Sequence, residues 1–324
     1  GYNVTELSPI NEPEWGWRGW YNGDGSISCG QEGCHYDPVD AAVFYNNYFI
    51  PSVQSSSKLN GIDISVWECA QLNHNWWWNR FLDNLFSSDS AYSSKNANIR
   101  NYVDVLDTHS YWASKADREA VKAQLSNSQY SSIKRIKCSE YCQMLNDGSS
   151  GVYDRIQEEG ATNGMTIDYG IALADIMYQD LTILNAVEWD WWTACGYGIY
   201  PDSLIYFDRN DHTNLMPSKR YYTMGNYSKF IDVGAQRVSC SAESGLPATV
   251  EQSAYRNPDG SVVVVYINKG TSNQYTSFDS SKYASLETYV TDESRGLKKL
   301  QHGSVDGSAV LIPARSVTTV VLSK

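Results

Sequence analysis

The chain is poor in several things that mark whole classes of protein. Its 324 residues hold only seven cysteines, an odd number too sparse for a disulfide scaffold. Basic residues are few: 25 Lys and Arg stand against 37 Asp and Glu, for a net charge of -12. Neither nucleic acid nor an anionic membrane surface is an expected partner, because both reward a basic patch. The longest apolar run, SVVVVYI at 261–267, falls far below the roughly 20 residues that cross a bilayer. No basic stretch followed by an apolar one opens the chain, so no signal peptide is read there. The chain starts in mid-strand, and removal of its beginning is the expected reason. Against these shortages stands an aromatic excess, 11 Trp and 24 Tyr beside 7 Phe. Rings with an apolar face and a polar handle suit sugar stacking and wet interfaces, although they also serve as ordinary core.

Among the cysteines, Cys29 and Cys34 in SCGQEGCHY form the one pair considered for a bridge. Cys138 and Cys142 are spaced C-x3-C, about 13 Å apart on an extended strand, which argues against a shared zinc. His35, Asp37 and His74 show no supporting pattern of ligands, so no metal site is expected. Two sequons, Asn3-Val4-Thr5 and Asn226-Tyr227-Ser228, are compatible with export.

From residue 2 to about 232, short apolar strands alternate with helical stretches, the pattern of stacked βα units. Strands are expected at 3–10, 61–70, 102–112, 132–142 and 184–194, and helices at 37–54, 75–86, 114–127, 168–183 and 217–231. Asp37, Ser114 and Asp168 are read as helix caps. After Gly234 the pattern becomes β-branched alternation with a hairpin signal at Asn257-Pro258-Asp259-Gly260. Two domains follow: an α/β part at 1–234 and an antiparallel β-domain at 235–324. Five βα units do not close a barrel of eight. Either the sheet is doubly wound, or three units precede residue 1.

Glu12, in NVTELSPINEPEWGW, ends the first of these strands between an asparagine and a proline. Glu140, in RIKCSEYCQM, ends the fourth. Paired carboxyl groups at facing strand ends suit glycosidic bond cleavage, where one protonates the leaving oxygen and the other attacks or activates water. Glu68 ends the second strand; entry into the cleft is one reading, and a structural, hydrogen-bonded glutamate is the one favoured.

The ordered set SPINEPEW, DTHSYW, CSEYC, EWDWWTA, KRYYTMGNYSKFI and VLIPARSVTTVVL resembles glycoside hydrolase family 30, of the clan A retaining enzymes, over essentially the whole chain. The resemblance implies a (β/α)8 TIM-type barrel, of which strands 4–8 are evident here, with a C-terminal β-sandwich at 235–324. It implies Glu12 as acid/base, Asn11 as its neighbour bonding the sugar 2-hydroxyl, and Glu140 as nucleophile. Tyr111 matches a residue that bonds the nucleophile, with His109 on the same wall. For the tryptophan on the eighth strand, Trp189, Trp191 and Trp192 compete, and Trp192 aligns best. Trp15, Trp17 or Trp20 is a candidate sugar platform, and one Trp of NHNWWWNRF another. Strands one to three would lie ahead of residue 1, making this the C-terminal two thirds of an enzyme of roughly 480–500 residues. NEPEWGW…GQEGCHY most resembles the endo-β-1,6-galactanase branch. Glucan, xylan and fucoside branches remain open, as does a non-catalytic carbohydrate-binding remnant. No cofactor or metal is implied, and a secreted or periplasmic monomer acting on β-linked polysaccharide or oligosaccharide is expected.

Overall fold

The computed structural model describes residues 4–17, 19–29, 33–72, 76–143, 165–197, 202–208, 213–240, 245–307 and 309–324. The chain divides into two compact units, Gly1–Tyr141 with Gln179–Trp191, and Cys142–Tyr178 with Trp192–Lys324.

The first unit is a run of parallel strands joined by helices. Strand β1 (Glu6–Leu7) is followed by a hairpin of β2 (Gly19–Tyr21) and β3 (Ile27–Cys29). Helix α1 (Pro38–Phe44) passes through a π-helical turn at Tyr45–Phe49 into α2 (Ile50–Ser55). Next come β4 (Asp63–Ile64), β5 (Val66–Gln71), α3 (Trp76–Phe86), α4 (Ser90–Ser93), α5 (Ala97–Tyr102), β6 (Val105–Tyr111), α6 (Lys115–Leu125) and β7 (Arg135–Glu140). Strand β1 pairs with β4, and β5 with β6 and then β7, all in parallel. The expected fifth strand is reduced to one parallel bridge between Cys138 and Trp189. Backbone bonds extend it: Val187 N to Ile136 O (2.9 Å), Cys138 N to Glu188 O (3.1 Å) and Asp190 N to Cys138 O (2.8 Å). The strands neighbour one another in strict sequence order, as in a TIM-type barrel; a doubly wound sheet would reverse its order partway.

Helix α3 explains how the sheet is covered. Its indole Trp78 and Phe81 pack on Trp67 of β5, with ring centroids 4.5 Å and 5.3 Å apart. Burying such aromatic side chains stabilises the unit by roughly 2–3 kcal/mol each. Helix α6 begins with the expected Ser114, which with Asp117 forms a reciprocal capping box. Asp37 occupies the N-cap of α1 without bonding through its side chain. The short helices α4 and α5 fall where the sequence pattern gave no helix.

In the second unit, α7 (Ile167–Gln179) leads toward a π-helical turn at Asp180–Leu184. Asp168, expected as a cap, lies inside the first turn and pairs with Arg315. Small strands β8 (Cys195–Gly196), β9 (Ile205–Phe207) and β10 (Leu215–Pro217) precede α8 (Lys219–Ser228). The β-sandwich contains β11 (Gln236–Val238), β12 (Val250–Arg256), β13 (Val262–Asn268), β14 (Gln274–Thr276), β15 (Ser285–Thr291), β16 (Lys298–Ser304), β17 (Val310–Ile312) and β18 (Ser316–Ser323). Six of these form an antiparallel sheet in the order β11-β12-β13-β18-β15-β16, and β14 pairs with β17. The expected hairpin turns at Asn257–Gly260, where Gly260 takes φ 86°, a value glycine adopts without strain. Inward Val262, Val264, Leu286, Val310, Ile312 and Val320 form the core.

Asn226, the asparagine of a sequon, is fully buried on α8, and its side-chain amide donates to Thr319 Oγ1 at 2.9 Å. It is closed to glycosylation in the folded unit. Asn3 lies outside the described residues. Cys34 is a free, exposed thiol, so the considered bridge to Cys29 is not formed.

Candidate active site

Two irregular residues bring the acidic groups together. In the β6–β7 ladder Thr108 faces Cys138, but His109 faces Glu140, so Ser139 is the extra residue of a bulge. A regular strand would turn Glu140 to the same side as Cys138 and Ile136. The bulge resets the alternation and sets Glu140 beside His109. In the β5–β6 ladder Trp67 faces Asp107 and Cys69 faces Thr108, leaving Glu68 as the extra residue, at φ 60°. Glu12 also has positive φ, 46°, with its N–H donating to Glu68 O at 2.9 Å. Such conformations cost on the order of 1–3 kcal/mol each and persist only where the surroundings hold them.

His109 is the hub. It is fully buried, with Nδ1 3.0 Å from Glu12 Oε1 and 3.8 Å from Glu140 Oε1, and Nε2 3.3 Å from Glu68 Oε2. Ser139 Oγ also donates to Glu68. Burial alone would lower the imidazole pKa, but the surrounding carboxylates outweigh it and hold His109 cationic, at about 10. Burial pushes Glu140 up, aided by the Glu12 charge and opposed by the His109 cation and by the Tyr111 hydroxyl, which donates to Glu140 Oε1 at 3.2 Å. One oxygen of Glu12 and one of Glu140 lie within 4.8 Å of each other. Glu12, His109 and Glu140 thus have the spacing of a metal-ligand trio. A coordinating imidazole must present a bare nitrogen. Here both ring nitrogens face carboxylates, and the donor set suits an ion-paired imidazolium better than a metal.

Behind this layer Asp180, fully buried, accepts from Arg118 Nε (2.7 Å), Ser110 Oγ (2.9 Å) and Trp189 Nε1 (2.9 Å). That network ties β6, α6 and the strand segment at Trp189 together. An aromatic series extends from the site: Tyr111 stacks on Tyr141 at 5.3 Å, and Tyr141 meets Trp191 edge-on at 6.2 Å. Trp192 is 44% exposed and belongs to the second unit, so this series runs through Trp191. Trp15 meets Trp112 edge-on at 6.1 Å, and Trp17 Nε1 donates to Glu12 O at 3.0 Å. Asn11 is half-buried directly before Glu12. His35 Nδ1 lies 3.0 Å from Trp15 O. Gln31, Glu32 and His74, and the side chain of Trp20, lie outside the described residues.

Sequence reasoning favoured Glu68 as a hydrogen-bonded glutamate, which its bonds to His109 and Ser139 agree with, and passed over Glu14. Glu68 contacts His109 through a bulge, which period-two reading does not register. Glu14 Oε1 accepts from Ala70 N at 2.5 Å, and burial pushes its carboxyl up to about 7 against that donor. The signal available for it was proximity, two residues after Glu12 in NEPEW.

Residues 1–206 match the model of O-glycosyl hydrolase family 30, and residues 234–320 that of the glycosyl hydrolase family 30 β-sandwich domain. A stretch of 111 residues, 33% of this chain and 26% of the relative, is 32% identical to a glucuronoxylanase of Bacillus subtilis (strain 168). Among solved structures, a family 30 endoxylanase from Clostridium papyrosolvens C71 is similar with TM-score 0.67 at 19% identity, over 100% of this chain and 67% of that one. A conserved exported protein from Bacteroides fragilis is similar with TM-score 0.74 at 22% identity, over 99% and 65%. The chain therefore spans about two thirds of the length of these solved structures and about a quarter of the curated relative.

Proposed function

Because the chain belongs to glycoside hydrolase family 30, we propose that it takes part in retaining hydrolysis of β-linked polysaccharide, with Glu12 as acid/base and Glu140 as nucleophile. The observation that carries this reading is the approach of a Glu12 oxygen and a Glu140 oxygen to within 4.8 Å across a buried imidazolium. Retaining enzymes hold their carboxyl groups roughly 5–5.5 Å apart, whereas inverting ones need roughly 6.5–9.5 Å to admit a water. In the first step Glu12 gives its proton to the departing oxygen while Glu140 attacks the anomeric carbon. The pair keeps its single negative charge, which passes from Glu140, now esterified, to Glu12. Glu12 then takes a proton from water, whose oxygen displaces Glu140. Tyr111 orients the attacking oxygen, His109 supplies the charge that keeps it ionised, and Trp191 and Trp15 offer faces to the sugar. Asn11 bonds the 2-hydroxyl, and Trp192 remains a further sugar contact under this reading.

Among backbones, β-1,6-galactan is the first candidate, on the segment NEPEWGW…GQEGCHY. Xylan is the second, favoured by the likeness to a glucuronoxylanase. Action outside the cell, as a monomer, belongs to the same proposal. No described helix is long and apolar enough to cross a membrane. Release of reducing ends from β-1,6-galactan, xylan and β-1,6-glucan, measured beside a Glu140→Gln control, tests the reading. Hydrolysis surviving that substitution would sink the mechanism.

A further inference from the structure

Glu68 is joined to the acid/base twice. Its carbonyl oxygen accepts from Glu12 N at 2.9 Å, and its Oε2 lies 3.3 Å from His109 Nε2, on the ring whose other nitrogen stands 3.0 Å from Glu12 Oε1. Ser139 Oγ, from the residue that precedes Glu140, donates to the same Oε2. Glu68 is the extra residue of the β5 bulge and Ser139 that of the β7 bulge, so both irregularities converge on one carboxylate oxygen. The Glu68 side chain is 14% exposed. Burial works against its charge, yet the His109 cation and the Ser139 hydroxyl outweigh burial and hold the carboxyl below its ordinary range.

One imidazolium balances one carboxylate. Were Glu12 and Glu140 its only neighbours, the cluster would carry a single net negative charge with both ionised, and no proton would remain for a leaving oxygen. Glu68 is the third neighbour. With its charge included, the cluster reaches the same single negative charge while one proton stays on the Glu12–Glu140 pair, the state from which retaining hydrolysis starts. We propose that Glu68 is a positioning residue of the hydrolytic centre: it is the standing counter-anion of His109, and by taking up the ring's charge it leaves the acid/base a proton to give. It also fixes the ring, because Nε2–H donated to Glu68 turns Nδ1–H toward Glu12 Oε1. That role rests on the acid/base reading of Glu12.

Glu68→Gln keeps the shape of the side chain and an acceptor for the ring but removes the charge. The imidazole resonances of ¹⁵N-histidine-labelled protein are followed from pH 5 to 10, with His109→Asn assigning the His109 signal among the five histidines. In the parent, both ring nitrogens of His109 are expected to carry protons at pH 7.5, since its neighbours hold the ring cationic up to about 10. In Glu68→Gln the His109 titration should fall by about 1–2 pH units. The whole bell-shaped kcat/KM profile on a β-linked chromogenic glycoside should slide about one unit toward acid, because both carboxyls of the pair then ionise more readily. A loss of activity at every pH with both limbs in place overturns the proposal, as does a His109 titration unmoved by the substitution. A neutral His109 in the parent at pH 7.5 overturns it without the variant. A chain that shows the histidine shifts but hydrolyses nothing overturns the hydrolase reading and leaves the pairing of Glu68 with His109 standing.

Discussion

Replacing His109 by Asn separates the charge of the hub from its hydrogen bonding, because the amide can still donate toward Glu12. The imidazolium lies 3.8 Å from Glu140 Oε1. At an effective dielectric of about 20 that attraction amounts to about 4 kcal/mol, or about 3 pKa units. The Glu140 side chain is 17% exposed, so solvent screens part of it and a rise of about 1–2 units is the expected net effect. The nucleophile must be ionised to attack. Losing the cation raises the Glu140 pKa, so the acid limb of the kcat/KM profile moves up by about 1–2 pH units. At pH 5 the variant therefore falls about 10- to 100-fold below the parent, and the deficit shrinks as pH rises toward 8. The assay is hydrolysis of a β-linked chromogenic glycoside from pH 4 to 9. A uniform loss at all pH values, with the acid limb unmoved, would refute the electrostatic role given to His109.

Tyr111→Phe removes the hydroxyl bonded to Glu140 and is expected to lower kcat about tenfold with little change in KM, measured on the same glycoside. Asp180→Asn leaves the guanidinium of Arg118 buried without its counter-charge, so a loss of about 3–5 kcal/mol should appear in urea unfolding. A loss under about 1 kcal/mol would contradict that account. Stability should also fall as pH rises from 5 to 8. Burial raises Glu14 to about 7, Asp107 to about 8, Asp190 to about 7 and Glu251 to about 7, so the folded state holds protons that the unfolded chain has released. His109, raised to about 10, contributes stability below its unfolded value near 6.5 and loses it upward, in the same direction. Thermal melts at pH 5, 6.5 and 8 check this, and a midpoint that climbs with pH would contradict it.

The alternation of apolar strands and helices was readable in the sequence because barrel strands are near-continuous apolar runs and their helices carry ordinary capping signals. Ser114 illustrates the second point, and the glycine at position 260 the matching signal for a hairpin. The order Glu12, His109, Tyr111, Glu140 was readable as well, as motifs at strand ends. What periodicity did not convey was which way those strand ends turn. Glu140 faces His109 only through the bulge at Ser139, and Glu68 reaches the same ring only through a second bulge. Asn226 carries a sequon but spends its amide on Thr319, 93 residues away, a contact no local pattern encodes.

The sequence by itself determined the βα order and the sandwich that follows it, while the choice of the two carboxylates rested on a resemblance of motifs. Those features are local: they depend on periods of 2 and 3.6 residues and on capping and turn chemistry. Only the tertiary structure decided that three carboxylates share one buried imidazolium, and that the aromatic series runs through Trp191. Those features depend on bulge register and on contacts between residues 40 to 100 positions apart, which are set by how strands stack and not by what any one strand contains.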